Sequence, residues 1–278
     1  MCIRDRNKVA IQGIKGSYHH KVAVEYFGSS VKIKEFLSFD EVANSIVNDS
    51  CELGVMAIEN SIAGSIISNY ALIDSLDLKI VGEYFININH QLMALPGSNI
   101  EDLEIVSSHP MALLQCKSFF KSYPKITLNE DKDTAEVAKR ISENNIINTG
   151  AIASVQASKL YGLEILSKDI QTIKNNETRF VVVSKNPLSN DLALNKASIK
   201  FSLGHETGSL ASVLNILADF ELNLTKIQSL PIIEIPWKYS FFIDVTFKKV
   251  SDLNNSLKHI NKKAESIKVL GVYKNKMK

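Results

Sequence analysis

Six consecutive residues, Leu53-Gly54-Val55-Met56-Ala57-Ile58, carry no polar side chain. A strand with one wetted face alternates apolar and polar residues. An unbroken apolar run of this length suits a strand covered on both faces, as in a parallel sheet between helices. The run ends at Glu59-Asn60-Ser61, and a helical pattern through about Ser75 follows. The rest of the first two-thirds alternates similarly. Val9-Ala10-Ile11 reads as a short strand running into a Gly13–Gly16 turn, and Ser17 is placed to cap a helix through about Phe27. A strand over Val31–Phe36 and a helix over Phe39–Asp49, capped by Ser38, come next. Leu78–Asn89 reads as a long extended crossing segment. Glu104–Ser108 is a strand, and His109-Pro110 opens a helix with proline in its tolerated first turn. A strand over Lys125–Leu128, a helix over Asp133–Glu143, a strand over Ile146–Ile152 and a helix over Ser154–Tyr161 follow. This alternation predicts an α/β fold of parallel sheets flanked by helices.

Ligand crevices of open α/β sheets form in the loops at strand ends, so polar residues at those joins are the candidates. Asn175-Asn176-Glu177-Thr178-Arg179-Phe180 is a polar loop that empties into Val181-Val182-Val183. Thr178 offers a hydroxyl there, and Arg179 offers a planar, permanently charged fork that matches a carboxylate. Asn60 and Ser61 cap the helix expected after the apolar run, whose free N–H groups would face an anion. Ser107 and Ser108 end a third strand, and Gln115 lies about two turns into the next helix. Phe180 reads as packing. A surface Thr-Arg pair, and caps that serve only the helix, explain the same residues, and the residues alone leave both readings open.

Several classes are disfavoured. A net charge of +2, from 32 basic and 30 acidic residues without a basic stripe, disfavours a nucleic-acid partner. No apolar run approaches the roughly 20 residues a membrane helix needs. Met1–Arg6 lacks the hydrophobic core of a secretory signal and reads as foreign to the strand after it. Cys2, Cys51 and Cys116 show neither pair nor metal spacing, consistent with reduced thiols in the cytoplasm, with Cys116 in a core. The Gly13–Gly16 turn suggests N–H groups near an anion, but it is not the three-glycine dinucleotide turn, so NAD is unsupported. His19 and His20 are adjacent without acidic or cysteine partners, and read as solvent or cleft-rim groups rather than metal ligands.

Ser184–Lys196 is a linker by composition. After it come a strand (Ala197–Leu203), a helix (Gly208–Phe220), two strands (Leu224–Ile233 and Tyr239–Phe247), a helix (about Asp252–Lys262) and a strand (Ile267–Tyr273). This βαββαβ order is the ferredoxin-like unit.

Five segments in order, Gly13-Ile14-Lys15-Gly16-Ser17-Tyr18, Ile58-Glu59-Asn60-Ser61-Ile62-Ala63-Gly64-Ser65, Ser107-Ser108-His109-Pro110 with Gln115-Cys116, Ala151-Ile152-Ala153-Ser154 and Thr178-Arg179-Phe180, resemble prephenate dehydratases from about Lys8 to the end of the chain. The resemblance implies a two-lobed, periplasmic-binding-protein-like catalytic domain over residues 8–184, with lobe 1 at 8–83 plus 168–184 and lobe 2 at 84–167. It also implies a 185–196 linker and an ACT regulatory domain over 197–274. The implied reaction converts prephenate to phenylpyruvate, CO2 and water without a cofactor or metal. The implied roles are Thr178 at the departing hydroxyl, Arg179 on a carboxylate or bracing the loop, Asn60 and Ser61 on the other anionic end, and Ser108 and Gln115 on the ring or pyruvyl arm. L-phenylalanine is the implied effector and a homodimer or homotetramer the implied assembly. Gly208-Ser209-Leu210-Ala211 stands where the family has Gly-Ala-Leu-Val, and Gln228-Ser229-Leu230-Pro231 where it has Glu-Ser-Arg-Pro. The lost Glu and Arg remove an ion-paired interface of the usual kind. Arogenate dehydratase and a non-catalytic amino-acid sensor are the competing readings, and the sequence does not separate the two dehydratase substrates.

Overall fold

In a computed structural model, residues 8–187, 194–232 and 235–277 are described. The opening Met1–Arg6, and residues 188–193 of the expected linker, lie outside the described residues.

The elements β1 (Lys8–Gln12), α1 (Tyr18–Phe27), β2 (Lys32–Phe36), α2 (Phe39–Val47) and β3 (Leu53–Asn60) alternate as the pattern implies. β1 is parallel to both β2 and β3. The helix starts are fixed locally. Ser17 Oγ accepts from His20 N at 3.2 Å. Ser38 and Glu41 form a reciprocal capping box, with bonds of 3.2 and 3.3 Å. Each such cap is worth about 1 kcal/mol. All six residues of the apolar run in β3 are buried, as a doubly covered strand requires.

The chain continues through β4 (Gly64–Ser65), α3 (Ile67–Ser75), β5 (Lys79–Asn87), β6 (Gln91–Ala94), β7 (Ile105–Ser108), α4 (Pro110–Cys116), β8 (Thr127–Glu130), α5 (Thr134–Glu143), β9 (Thr149–Ala153), α6 (Val155–Tyr161), β10 (Glu164–Ser167) and β11 (Glu177–Ser184). Five of these strands form a sheet in the order β10-β6-β9-β7-β8. This sheet is mixed rather than parallel, which corrects the expectation. β7 is parallel to β8 and β9, whereas β6 runs against β9 and β10. The reason is that β6 follows β5 after Ile88-Asn89-His90 with no crossover helix to turn it. Alternate residues feed opposite cores. Leu92, Val106 and Ile152 pack with Leu113 and Cys116 of α4. Met93, Ala151 and Ala153 pack with α5 and Ala157 of α6.

The described chain packs into two compact units, one comprising the residues up to Gly64 with Ile86–Arg179, the other Ser65–Phe85 with Phe180 onward. The second unit holds β12 (Lys196–Ser202), α7 (Ser209–Asp219), β13 (Asn223–Pro231), β14 (Tyr239–Thr246), α8 (Val250–Ile260) and β15 (Ser266–Tyr273). Its sheet has the order β13-β14-β12-β15 with antiparallel neighbours, the βαββαβ arrangement. Alternation along β12 separates two faces. Ala197, Ile199 and Phe201 join Val213, Leu217 and Leu253 in a core under α7 and α8. Lys196 and Lys200 point the other way, toward the Ser65–Phe85 segment of the same unit. Lys196 Nζ lies 2.8 Å from a Glu83 carboxylate oxygen, and Lys200 Nζ 2.5 Å from one of Asp74. On β15, Lys268 Nζ reaches Asp74 at 3.0 Å and Asp77 at 2.9 Å. A methyl group at Gly271 would come within 2.0 Å of Ile80 O, so only glycine permits this approach.

Candidate active site

The site is built where β3 ends and β11 begins, both within the first unit. Asn60 is its hub. Asn60 Oδ1 accepts from the backbone N–H groups of Ile62 and Ala63 at 3.0 and 2.8 Å. Backbone donors cannot turn over, so they fix which end of this amide is oxygen. Asn60 Nδ2 therefore donates, to Asn176 Oδ1 at 2.6 Å and to Thr178 Oγ1 at 2.8 Å. Ser61 ties the same two segments together. Its N–H donates to Glu177 O at 2.8 Å, and its Oγ accepts from Glu177 N at 3.0 Å.

From Asn176 the network runs on in one sense. Asn176 Nδ2 donates to Gln115 Oε1 at 2.8 Å, and His90 Nε2 lies 3.0 Å from that same oxygen. His90 Nδ1 is 3.1 Å from the Tyr18 hydroxyl, which also reaches Asn89 O at 2.9 Å. Asn176 is fully buried, and His90 is 3% exposed. Burial is the main reason the His90 pKa falls to about 4, against a smaller upward pull from Gln115, so its ring is neutral at pH 7. Burial also holds the Tyr18 phenol above its usual value, so it stays protonated and able to donate.

Thr178, 7% exposed, thus has its oxygen lone pair engaged by an amide. Its proton remains available, since among the described residues no protein acceptor takes it. Accepting a hydrogen bond polarises a hydroxyl and strengthens it as a donor. Beside it, the Arg179 guanidinium is buried, with Nη1 4.0 Å from Glu59 Oε2.

The structure thus brings Asn60, Ser61, Gln115 and Thr178 together, with Arg179 adjacent in sequence. It does not bring Ser108 into the network. That hydroxyl is fully buried and donates to Ile152 O at 2.6 Å, a bond that holds β7 against β9. Phe180 is a buried packing residue at 2% exposure. Gly208 caps α7 at a φ of 84°, and Ser209 and Leu210 line a cavity of about 480 Å³ with Leu203, Trp237, Tyr239 and Phe241. Ala211 and the Gln228–Pro231 stretch of β13 are not among its lining residues.

Three expectations are corrected. No helix begins at Asn60 and Ser61. The chain makes a turn there, capped by Asn60 Oδ1, and α3 starts only at Ile67 without a side-chain cap. The Gly13–Gly16 turn is not an anion cradle. Its N–H groups donate to Phe36 O, the Glu35 carboxylate and His20 Nδ1. Gly16, at a φ of 93° with an added methyl 3.1 Å from Ala157 Cα, serves close packing instead. His19 is buried, edge-on to Phe39, rather than at a rim, because it faces inward on α1. His109 caps α4, accepting from Met111 N at 3.2 Å. Among the described residues no three His, Cys, Asp or Glu side chains are grouped to hold a metal ion. No described helix is long and apolar enough to cross a membrane.

Sequence reasoning did not single out Asn176 or His90 for the site. The partners are far apart in sequence, and the only local signal was a second asparagine beside Glu177.

A family model described as prephenate dehydratase matches residues 9–188. The bifunctional chorismate mutase/prephenate dehydratase of Buchnera aphidicola subsp. Acyrthosiphon pisum (strain APS) is 35% identical over 267 residues, covering 94% of this chain and 69% of that protein. Arogenate dehydratase/prephenate dehydratase 2, chloroplastic, of Arabidopsis thaliana is 36% identical over 282 residues, covering 96% and 73%. Among solved structures, a prephenate dehydratase in complex with L-Phe from Arthrobacter aurescens superposes with a TM-score of 0.87 at 22% identity, covering 96% and 90%. GqqA, described as a novel type of quorum quenching acylase, superposes at 0.85 with 27% identity, covering 96% and 97%.

Proposed function

The chain belongs to the prephenate dehydratase family, and on that premise we propose that Thr178, Asn60, Asn176 and Gln115 form the centre at which it acts on prephenate. The enzyme is a lyase of phenylalanine biosynthesis, and the reaction needs no outside electron sink. The bond from the ring to its carboxylate breaks and releases CO2. Its electron pair moves through the ring diene, and the C4–O bond breaks to release hydroxide. The ring becomes aromatic, which drives the step. The departing hydroxide takes up one proton from solvent to leave as water.

The protein's task is to hold a dianion, keep water from the carboxylate and favour charge on the departing oxygen. The observation that carries the reading is the Asn60 bond to Thr178 Oγ1, 2.8 Å from an amide whose direction the backbone sets. Thr178 then has one use left for its proton, a hydrogen bond to the oxygen that departs. A free threonine is far too weak an acid to protonate it outright. Arg179 holds a carboxylate or braces the strand end through Glu59, and Gln115 meets the pyruvyl arm. Ser61 fixes the join of β3 to β11 in this reading.

The domain division of 8–184 and 197–274, the cytoplasmic location and a homodimer or homotetramer belong to the same proposal. So does L-phenylalanine as an effector near Gly208-Ser209-Leu210-Ala211 and Gln228-Ser229-Leu230-Pro231. The L-Phe complex of the Arthrobacter aurescens protein supports it, and the cavity beside Ser209 and Leu210 offers an apolar lining for a ring. The test is incubation with prephenate while phenylpyruvate is followed, with and without phenylalanine. The proposal expects phenylpyruvate to form, and phenylalanine to change its rate. No phenylpyruvate would overturn the site, and an unchanged rate would overturn the effector.

A further inference from the structure

We propose that His90 is a positioning residue that fixes Gln115 as a hydrogen-bond donor, and that this donor end makes the site select an α-keto acid arm over its α-amino counterpart. The inference rests on the site described above and deepens it by naming what sets its specificity.

The argument starts from groups that cannot turn over. The Ile62 and Ala63 N–H groups orient Asn60, and Asn60 Nδ2, 2.6 Å from Asn176 Oδ1, orients Asn176. Asn176 therefore presents its Nδ2 to Gln115, and the atom 2.8 Å away must be the acceptor Oε1. His90 Nε2, 3.0 Å from that oxygen, then carries the ring proton. Nδ1 is left as an acceptor facing the Tyr18 hydroxyl at 3.1 Å, whose single proton it shares with Asn89 O at 2.9 Å. The neutral ring that burial imposes is consistent with this tautomer.

His90 is itself held on both sides of its peptide. Its N–H donates to Gln171 Oε1 at 2.9 Å, and its carbonyl accepts from Ile170 N at 2.9 Å. Gln115 Oε1 is thereby saturated by two donors. Its N–H2 group has no protein acceptor among the described residues, and it is the group left for a ligand. An amide N–H2 suits a ketone or carboxylate oxygen. Facing an ammonium, it sets donor against donor, and that mismatch excludes one partner without changing shape. Prephenate brings a keto group at this position and arogenate an ammonium.

The experiment measures kcat and KM separately on prephenate and arogenate. The wild type is expected to favour prephenate by about 100-fold in kcat/KM. His90→Phe removes one of the two donors that hold the amide and should shrink the preference about tenfold, mainly through KM. His90→Gln, whose amide nitrogen reaches the Nε2 position, should restore it. Gln115→Glu keeps the shape and replaces the donor with an acceptor, so it should lose prephenate by about 100-fold and arogenate by less. A wild type indifferent between the substrates, or a preference unchanged in His90→Phe, overturns the inference. Should His90→Phe fail to fold, equal losses on both substrates in Gln115→Glu overturn it. Thr178→Val, run in parallel, separates the two levels. Full turnover there overturns the site and this inference together. Lost turnover there with an unchanged ratio in His90→Phe overturns this inference alone.

Discussion

Asn60→Asp changes one group and no volume, so it isolates the direction of the hydrogen-bond chain. The retained oxygen still accepts from Ile62 N and Ala63 N at 3.0 and 2.8 Å. The other position, now an oxygen, faces Asn176 Oδ1 at 2.6 Å and Thr178 Oγ1 at 2.8 Å. Thr178 can answer in one way only, by donating its proton to the new carboxylate. That takes the proton away from substrate. Turnover should fall about as far as for loss of an oxyanion donor, on the order of 100-fold, which is about 2.7 kcal/mol of barrier. The acceptor pair at Asn176 has its own cost. It leaves a buried oxygen without its donor, worth about 1–3 kcal/mol of stability. The assay is kcat for phenylpyruvate formation, with urea unfolding alongside to separate the two effects. Because one proton is at stake, Asn60→Asp combined with Thr178→Val should be hardly slower than either alone. A folded Asn60→Asp enzyme within about threefold of wild-type kcat, or losses that simply multiply in the double variant, would refute the reasoning.

Three further outcomes are expected. Lys196→Met should destabilise the protein by about 3–5 kcal/mol in urea, because it removes the cation paired with the fully buried Glu83 carboxylate; Lys196→Met with Glu83→Leu should recover most of that loss. Folding stability should fall as pH drops from about 6.5 toward 4, because the unfolded chain protonates His90 there and the folded chain, with its pKa at about 4, does not. The loss is on the order of 3 kcal/mol by pH 4, buried His19 adds to it, and His90→Gln should flatten the slope measured by urea unfolding at stepped pH. Ser108→Ala should lower stability by about 1–2 kcal/mol while leaving kcat within a few-fold of wild type, as its hydroxyl serves Ile152 O.

The parts of this molecule legible in sequence are those set by local chemistry. The apolar run of β3 announces a strand buried on both faces, and Ser17, Ser38 and Pro110 mark helix starts that are found within a residue. Thr178 and Asn60 stand out because each is a polar residue at the join of a buried strand and a loop. What stayed hidden depends on partners remote in the chain. Asn60 and Asn176 are 116 residues apart, and nothing near Asn176 signals that its amide passes on a direction. His90 follows a long extended stretch and looks like any residue between strands. The Gly13–Gly16 turn misled because glycine spacing reports backbone conformation, whereas its N–H groups are taken up by Phe36, Glu35 and His20. The lysines of β12 alternate as a wetted face would, yet they meet Asp74 and Glu83 from a segment over a hundred residues earlier.

The central claim is that the Thr178 hydroxyl gives a hydrogen bond to the oxygen that prephenate loses. It is tested most directly by the turnover number of Thr178→Val against Thr178→Ser under saturating prephenate. Thr178→Val removes the hydroxyl at nearly constant volume, and Thr178→Ser keeps the hydroxyl while losing the methyl group. The account predicts that Thr178→Ser stays within about tenfold of wild type while Thr178→Val falls by about 100-fold or more. Equal turnover numbers in the two variants would contradict it.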